Sequence, residues 1–285
     1  MRPHLFIDVQ HGLGNRLRAL ASAAVIAEAT GRQLVVLWLP DRHCEARIGD
    51  LLRYPDPVIE TDCRDELRSR CAHVHNYMEI EEGSAFQELV LARGEAARGD
   101  VFIRSAYTLA SPYHDRAAED AFLRGLRAAE PVLEMVKSVD HPSDVAVHIR
   151  MATGPAFDHL SYEAPANWPA ERHRELTEWR RKSDVSRFIR RLDAMIAAGA
   201  AETIFVAADL PASYAALIEA YGRRVRYLPR AEYDRSAGQL QTALADMILL
   251  TSARHFLAST WSSFSDIAQR LAAPGRPCEQ SGTDF

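Results

Sequence analysis

Residues 5–38 read LFIDVQHGLGNRLRALASAAVIAEATGRQLVVLW, and this stretch decides the class of fold. An apolar run at 5–9 predicts a short strand, and a glycine turn at 11–15 follows it. Leucines and alanines then recur every three or four residues, which predicts a helix that ends at Gly31. A second apolar run at 33–38 predicts another strand. Two strands joined through a helix form a βαβ unit, in which the strands pair in parallel.

The same alternation returns further along the chain and predicts two domains. The sequence HPSD at 141–144 interrupts it, and we place the domain boundary near residue 140. We therefore expect an α/β protein with two Rossmann-like, doubly wound domains, residues 1–140 and 141–285, that face a cleft. The further strands are expected at 101–105, 145–150, 203–208, 225–228 and 255–258, and the further helices at 115–137 (interrupted by Pro131), 183–199, 209–222, 237–252 and 263–271.

The composition is that of an ordinary globular protein. Of 285 residues, 47% are hydrophobic and 26% are charged, which argues against long disordered segments and collagen. The 34 Lys and Arg residues against 39 Asp and Glu give a formal charge of −5, which disfavours a general nucleic-acid-binding protein. The apolar runs are too short to span a bilayer, and the N-terminus has no signal-peptide pattern. We expect a cytoplasmic protein without a transmembrane segment.

The cysteines and histidines give no positive support for a metal site. Cys44, Cys63, Cys71 and Cys278 form no CxxC pair, and no HExxH occurs. A bridge from Cys71 to Cys63 or Cys44 is the alternative for an exported chain, whereas thiols are expected in a reducing compartment. We expect neither a metal nor another cofactor.

Four polar segments lie where a predicted strand ends and a loop or helix begins. Open parallel sheets bind ligands at this carboxyl edge of the strands. The first segment comprises Gly12, Gly14, Asn15 and Arg16. Its glycines let a ligand approach the backbone, the helix N-terminus favours an anion, and the two polar side chains add donors. Glycine turns in βαβ units are often purely structural, and this one lacks the third glycine of a dinucleotide fingerprint.

The second segment is HIR at 148–150. Residues two apart on a strand point to the same side, so His148 and Arg150 emerge together. An arginine suits bidentate phosphate binding, and a histidine can contact a base or a sugar. A salt-bridged arginine beside a buried histidine is an equally good interpretation.

The third segment is ADMILL at 245–250, where Asp246 stands among apolar residues and needs a partner if it is buried. Guanine offers adjacent N1–H and N2–H donors that match one carboxylate. The alternative is an aspartate that faces an arginine or a helix end, and the segment alone favours this alternative.

The fourth segment is STWSSFS at 259–265, between the last expected strand and the last helix. The hydroxyls of Ser262 and Ser263 and the backbone amides around them predict a phosphate-binding turn. The alternative is a serine N-cap that only begins the helix.

The order and spacing of these segments resemble the GT-B fucosyltransferases, which include the protein O-fucosyltransferases and the α1,6-fucosyltransferases. The likeness is concentrated in three blocks: GLGNRL at 12–17 with Ala23 and TGR at 30–32; VHIR at 147–150; and FVAAD, LADM and SSF at 205–209, 244–247 and 262–264. The α1,6 enzymes usually carry HxRR, whereas Met151 follows Arg150 here, and the protein O-fucosyltransferases also have an apolar residue there.

This resemblance implies inverting, metal-independent transfer of fucose from GDP-fucose to a glycan, peptide or small-molecule acceptor. GDP would lie mostly on the second domain, which leaves residues 1–140 on the acceptor side. Arg150 would hold the β-phosphate, His148 would meet guanosine and Asp246 would read the guanine. Asn15 would face the sugar. The full donor-binding set that the resemblance implies is His148, Arg150, Asp209, Asp246, Ser262, Ser263 and Phe264, with Gly12, Gly14, Asn15 and Arg16 from the first domain.

A general base must lie within reach of the acceptor hydroxyl. The long irregular segment after Arg150 is typical of a functional loop and offers Asp158 and Glu163. We take Glu163 as the candidate base, with His11 and Asp8 as alternatives; any one of these acids can equally be a solvated carboxylate. The candidate catalytic residues are then Arg150, Glu163 and Asn15.

Three other functions are alternatives to this interpretation. A different GDP-sugar or a UDP-sugar would keep the fold, but a carboxylate at Asp246 should prefer guanine and repel the carbonyl groups of uracil. A non-catalytic GDP- or glycan-binding module would bind the nucleotide without turnover. A Rossmann dehydrogenase is disfavoured because no acidic residue clearly ends the strand at Trp38.

Overall fold

The computed structural model describes residues 2–92, 99–153, 157, 160, 163–164 and 168–285. The chain forms two compact units, Met1–Ala129 and Glu130–Phe285. The HPSD segment at 141–144 lies inside the second unit, downstream of its first helix.

The first unit is built on a five-stranded sheet in which every pair of neighbours is parallel. Its strands are His4–Val9 (β1), Gln33–Leu37 (β2), Val58–Ile59 (β3), His73–Asn76 (β4) and Val101–Ser105 (β5). Their order is β3-β2-β1-β5-β4, so β1 lies at the centre. The sequence predicts β1, β2 and β5, whereas β3 has only two residues and β4, with the sequence HVHN, has no apolar run.

The first unit has helices Leu13–Ala29 (α1), Ile48–Leu51 (α2), Arg64–Arg70 (α3) and Arg116–Gly125 (α4). Helix α1 begins at Leu13, within the predicted glycine turn, and ends as predicted. Gly31 has φ +65°, and the amides of Gly31 and Arg32 donate to the carbonyls of Glu28 and Ala27. This Schellman arrangement satisfies the last carbonyl groups of the helix.

The second unit repeats the parallel architecture. Its strands are Val145–Ile149 (β6), Ile204–Ala208 (β7), Val225–Arg226 (β8), His255–Ala258 (β9) and Cys278–Gln280 (β10), in the order β10-β9-β6-β7-β8. Strands β6 and β7 are buried along their whole length, as is usual for a sheet that helices cover on both faces.

The helices of the second unit are Glu130–Lys137 (α5), Ala170–Arg181 (α6), Val185–Ala197 (α7), Pro211–Tyr221 (α8), Ala237–Ser252 (α9) and Ser263–Leu271 (α10). The helix expected at 115–137 with an interruption at Pro131 is two helices, but the break lies between α4 and α5, and Pro131 lies in the first turn of α5, where its missing N–H leaves no bond unmade. Asp184, rather than Ser183, caps α7, because the Asp184 carboxylate accepts from the Ser186 amide at 2.9 Å.

The core of the second unit is aliphatic and aromatic. Val147 and Ile149 of β6 pack in one buried cluster with Phe188 and Leu192 of α7 and Leu257 of β9. Burial of such side chains stabilises a domain by roughly 1.5–3 kcal/mol each. This packing fixes β6 at the centre of the sheet and so fixes the residues that follow it.

Two further features bear on the expectations from the sequence. No disulfide joins the four cysteines. Among the described residues, no helix is both long enough and apolar enough to cross a membrane.

Candidate functional site

The second sheet has its topological switch point at β6. The chain runs from β6 outward through β7 to β8, and then returns to the other side of β6 with β9 and β10. Ligands of open parallel sheets bind in the crevice outside the carboxyl ends of the strands at such a point. Arg150 follows β6, Asp209 follows β7 and the serine turn at 259–263 follows β9, so two of the four predicted segments and Asp209 lie at these strand ends.

Arg150 is held between two carboxylates. Its Nη1 contacts Asp209 and donates to the Ala152 carbonyl at 2.8 Å, and its Nη2 contacts Glu163. Its backbone amide donates to Ser259 Oγ at 2.8 Å. Burial alone would lower the pKa of Arg150, but the charges of Glu163 and Asp209 raise it above its ordinary value. The guanidinium is therefore permanently charged and rigidly placed.

Asp209 also fixes the backbone after β6. Its carboxylate accepts from the amide of Met151 at 2.9 Å and from that of Ala152 at 2.8 Å. Burial opposes ionisation, but Arg150 and these amides hold the pKa of Asp209 below its ordinary value. Asp209 thus positions both the guanidinium of Arg150 and the backbone of the two residues that follow it.

His148 is buried and neutral. Its Nδ1 lies 2.7 Å from Ser265 Oγ, and its ring stacks on Phe264 with centroids 4.6 Å apart. Burial lowers the pKa of His148 to about 3. The buried-histidine interpretation of the HIR segment therefore fits, while the partly exposed Phe264 is the member of this pair that a ligand can contact.

The serine turn begins α10. Ser262 is its N-cap, with Oγ accepting from the Ser265 amide at 3.3 Å, and Ser263 is the first helical residue. Trp261 has φ +51°, a left-handed conformation that costs free energy for a residue other than glycine, and it is half exposed. The simple N-cap interpretation holds for Ser262, and the turn lies at the carboxyl end of β9, where free first-turn amides can accept an anion.

Asp246 is buried in α9 and contacts the guanidinium of Arg230 through Oδ2. Oδ1 has no hydrogen-bond partner among the described residues. Burial raises the pKa of Asp246 to about 6, although Arg230 works in the opposite direction. Arg230 also lies over the rings of Tyr214 and Tyr233 at 5.6 and 5.8 Å. The alternative in which this aspartate faces an arginine is the one the structure contains.

Arg180 is a residue that sequence reasoning missed. It lies in the last turn of α6, and its Nη1 donates to the carbonyl of Trp261 at 3.2 Å. Burial and the neighbouring charge of Arg150 lower the pKa of Arg180 to about 10. Helix α6 buries none of its residues fully, so it has no strong apolar period by which a sequence could reveal it.

In the first unit, the glycine turn connects β1 to α1, as a βαβ unit requires. Gly12 is the N-cap position of α1, and Asn15 is partly exposed in the first turn. Arg16 is fully buried: it donates to the carbonyls of His11 at 2.8 Å and Leu39 at 2.9 Å. Its third contact is Asp41, at 3.1 Å. The Arg16 guanidinium is thus buried on two backbone carbonyls and an aspartate of its own unit, in contrast to the donor-binding role expected for it.

A second polar cluster lies at the carboxyl ends of β1 and β5. Asp8 is buried and accepts from Arg104 at 2.7 Å and from Gln10 at 2.6 Å, and Arg104 also binds Glu81. Burial raises the pKa of Asp8 despite Arg104. His11, three residues after Asp8, has φ +63°, and burial lowers its pKa to about 4. Both alternative bases therefore stand at the central strand of the first sheet.

No protein-family model matches the chain, and no curated protein matches its sequence. A crystal structure of NodZ α-1,6-fucosyltransferase soaked with GDP-fucose matches with a TM-score of 0.61 and 16% identity, over 95% of this chain and 93% of that chain. The fucosyltransferase NodZ from Bradyrhizobium gives 0.61 and 16%, over 95% and 94%. POFUT1 in complex with GDP-fucose gives 0.57 and 14%, over 99% and 98%.

The chain has the GT-B fold of these fucosyltransferases. This confirms the α/β fold with two Rossmann-like domains and the resemblance on which it was expected. At identities of 14–16%, the likeness establishes the fold and not the chemistry of the site.

Within the GT-B fold, the predicted site residues fall into separate groups. Arg150, Asp209 and Glu163 are in contact, and His148 and Phe264 are stacked on each other. Gly12, Gly14, Asn15 and Arg16 belong to the first unit, and Asp158 lies outside the described residues. Among the described residues, no group of three or more His, Cys, Asp or Glu side chains could hold a metal ion.

Proposed function

We propose that this protein is a glycosyltransferase that moves fucose from GDP-fucose to a hydroxyl group of a glycan, peptide or small-molecule acceptor, with inversion and without a metal. The observation that carries the proposal is the placement of Arg150, Asp209 and the serine turn at the switch point of a GT-B domain. The solved structures with this fold include fucosyltransferases with GDP-fucose or GDP.

The proposed chemistry is a direct displacement at the anomeric carbon. The acceptor oxygen forms the new bond, the bond from the sugar to the β-phosphate breaks, and GDP leaves with the electron pair. Charge on the leaving diphosphate must be stabilised by groups already in place. Arg150 and the N-terminal amides of α10 would do this, with Ser262 and Ser263 beside the phosphate oxygens.

The remaining roles are assigned on the same basis. The second domain would hold GDP, and the first would hold the acceptor, with Asn15 and the glycines at 12 and 14 near the sugar. Glu163 would accept the acceptor proton once donor binding has drawn Arg150 away from it. Phe264, partly exposed beside His148, would contact the nucleoside.

A donor with a base other than guanine is the second candidate. The observation that favours it is the contact of Arg230 with Asp246, which leaves only Oδ1 for a base. One carboxylate oxygen accepts one of the two guanine donors well, so guanine remains favoured but less strongly than with both oxygens available.

Calorimetric titration of the purified full chain with GDP, GDP-fucose, GDP-mannose, UDP and NAD tests the proposal. We expect micromolar binding of GDP and GDP-fucose, unchanged by EDTA, and slow release of GDP from GDP-fucose that an acceptor accelerates. Binding of UDP alone would support the second candidate. Binding of NAD, or of no nucleotide, would reject a nucleotide-sugar site, and a loss of activity with EDTA would reject the metal-free mechanism.

A further inference from the structure

The charge balance around Arg150 is unfavourable for a diphosphate. One guanidinium lies between two carboxylates, Asp209 and Glu163, and Thr153 donates a further hydrogen bond to Glu163 at 2.7 Å. With both acids ionised, this cluster is negative overall. A doubly or triply charged diphosphate therefore needs another cation close by.

Arg180 is such a cation. Among the described residues it forms no ion pair, and its one hydrogen bond goes to the carbonyl of Trp261. Its Nε is enclosed and has no hydrogen-bond partner within the described part of the chain. A guanidinium whose Nε is enclosed without a partner costs free energy, and a bound anion would recover it. In addition to burial, the charge of Arg150 lowers the pKa of Arg180, and the charge of Arg180 lowers the pKa of His148, so Arg180 lies within electrostatic range of the switch point.

Aromatic packing holds Arg180 in position. Trp179, its neighbour on α6, stacks on Trp261 with ring centroids 5.6 Å apart and planes inclined by 26°. The Lys182 ammonium lies 3.9 Å from the centre of the Trp179 ring. Trp261 belongs to the turn that begins α10, so the stack joins Arg180 directly to the helix N-terminus that is expected to face phosphate oxygens.

We propose that Arg180 binds the diphosphate of the donor and stabilises it as it leaves, while Arg150 is shared with its two carboxylates. This inference rests on the proposed function, because it names a further binding residue at the same site. Trp179 and Trp261 are positioning residues in this arrangement.

The test compares Arg180→Gln with Arg174→Gln, an exposed arginine on the same helix. GDP, GMP, guanosine and inorganic pyrophosphate are titrated into each full-length variant. We expect Arg180→Gln to weaken GDP and pyrophosphate by about 10- to 100-fold, the range of a charged hydrogen bond, and to leave guanosine unchanged. Arg180→Lys should recover part of the loss, and Arg174→Gln should match the wild type.

The outcomes separate this inference from the proposed function. Equal binding of GDP and pyrophosphate by wild type and Arg180→Gln, with both proteins folded by circular dichroism, would overturn the role of Arg180. Absence of pyrophosphate binding to the wild type would overturn it as well. If the wild type binds pyrophosphate through Arg180 but does not bind GDP, the anion site stands and the GDP-sugar function falls.

Discussion

Glu163 contacts the guanidinium of Arg150, the side chain proposed to meet the donor diphosphate. The carboxylate considered as the general base is thus an ion-pair partner of the phosphate-binding arginine. These two roles make opposite demands. As a partner of Arg150, Glu163 competes with the incoming phosphate, and as a base it must be released toward the acceptor.

Replacement of Glu163 by Gln tests both roles in one variant. Removal of a competing negative charge should strengthen GDP binding, by up to about 10-fold. Loss of a general base should slow transfer by about 100-fold or more. Calorimetry and a GDP-release assay measure the two effects.

The exposed Glu171→Gln on α6 provides the matched change of charge. Tighter GDP binding together with undiminished transfer would leave Glu163 as a partner of Arg150 only. Unaltered GDP binding would show that Glu163 does not compete with the ligand.

Asp246→Asn tests whether the Asp246 carboxylate recognises guanine, through a comparison of the affinities for GDP and inosine diphosphate. Inosine diphosphate lacks the 2-amino group, so a wild-type protein that reads N2–H binds GDP more tightly than inosine diphosphate. We expect this preference to shrink to near unity in Asp246→Asn. Because Arg230 loses its ionic partner, unfolding should also become easier by about 3 kcal/mol. Retention of the full preference for GDP would assign Asp246 to the ion pair alone.

His148 should make stability depend on pH. Its pKa is near 6.5 in the unfolded chain and about 3 in the folded protein, so the folded state binds fewer protons. The contribution of neutral His148 to the free energy of unfolding is fully present above pH 6.5 and is lost as the pH falls toward 3. Between pH 7 and pH 5 the wild type should lose about 2 kcal/mol of unfolding free energy that His148→Asn does not lose. Urea denaturation of both proteins at each pH measures the difference, and parallel pH profiles would refute the prediction.

Arg16 should matter for folding rather than for the donor. Its guanidinium is fully buried on two carbonyls and Asp41, so Arg16→Ala should cost about 3 kcal/mol or more by leaving these groups unpaired. Arg16→Lys should cost less, since one donor and the charge remain. GDP affinity of the folded variants should equal that of the wild type. A selective loss of GDP binding with unchanged denaturation would restore the donor-binding role.

Local pattern predicts much of this fold. Strands of four to six largely apolar residues at β1, β2, β5, β6, β7 and β9 produce a recognisable pattern, and α9 and α10 have the bounds that the sequence predicts. Strand β3, with two residues, and β10, with three, form through pairing with longer neighbours, and so little in their own composition predicts them.

The candidate site likewise has a part that the sequence predicts and a part that only the tertiary structure determines. The sequence by itself places Arg150, Asp209 and the serine turn at strand ends, because the parallel α/β pattern brings the carboxyl ends of strands to one edge. Only the tertiary structure decides which charges meet there: Asp246 with Arg230, Glu163 with Arg150, and Arg180 without a carboxylate among the described residues. The physical reason is that strand and helix periods are local properties of the chain, whereas an ion pair depends on a few ångströms between side chains that separate elements bring together.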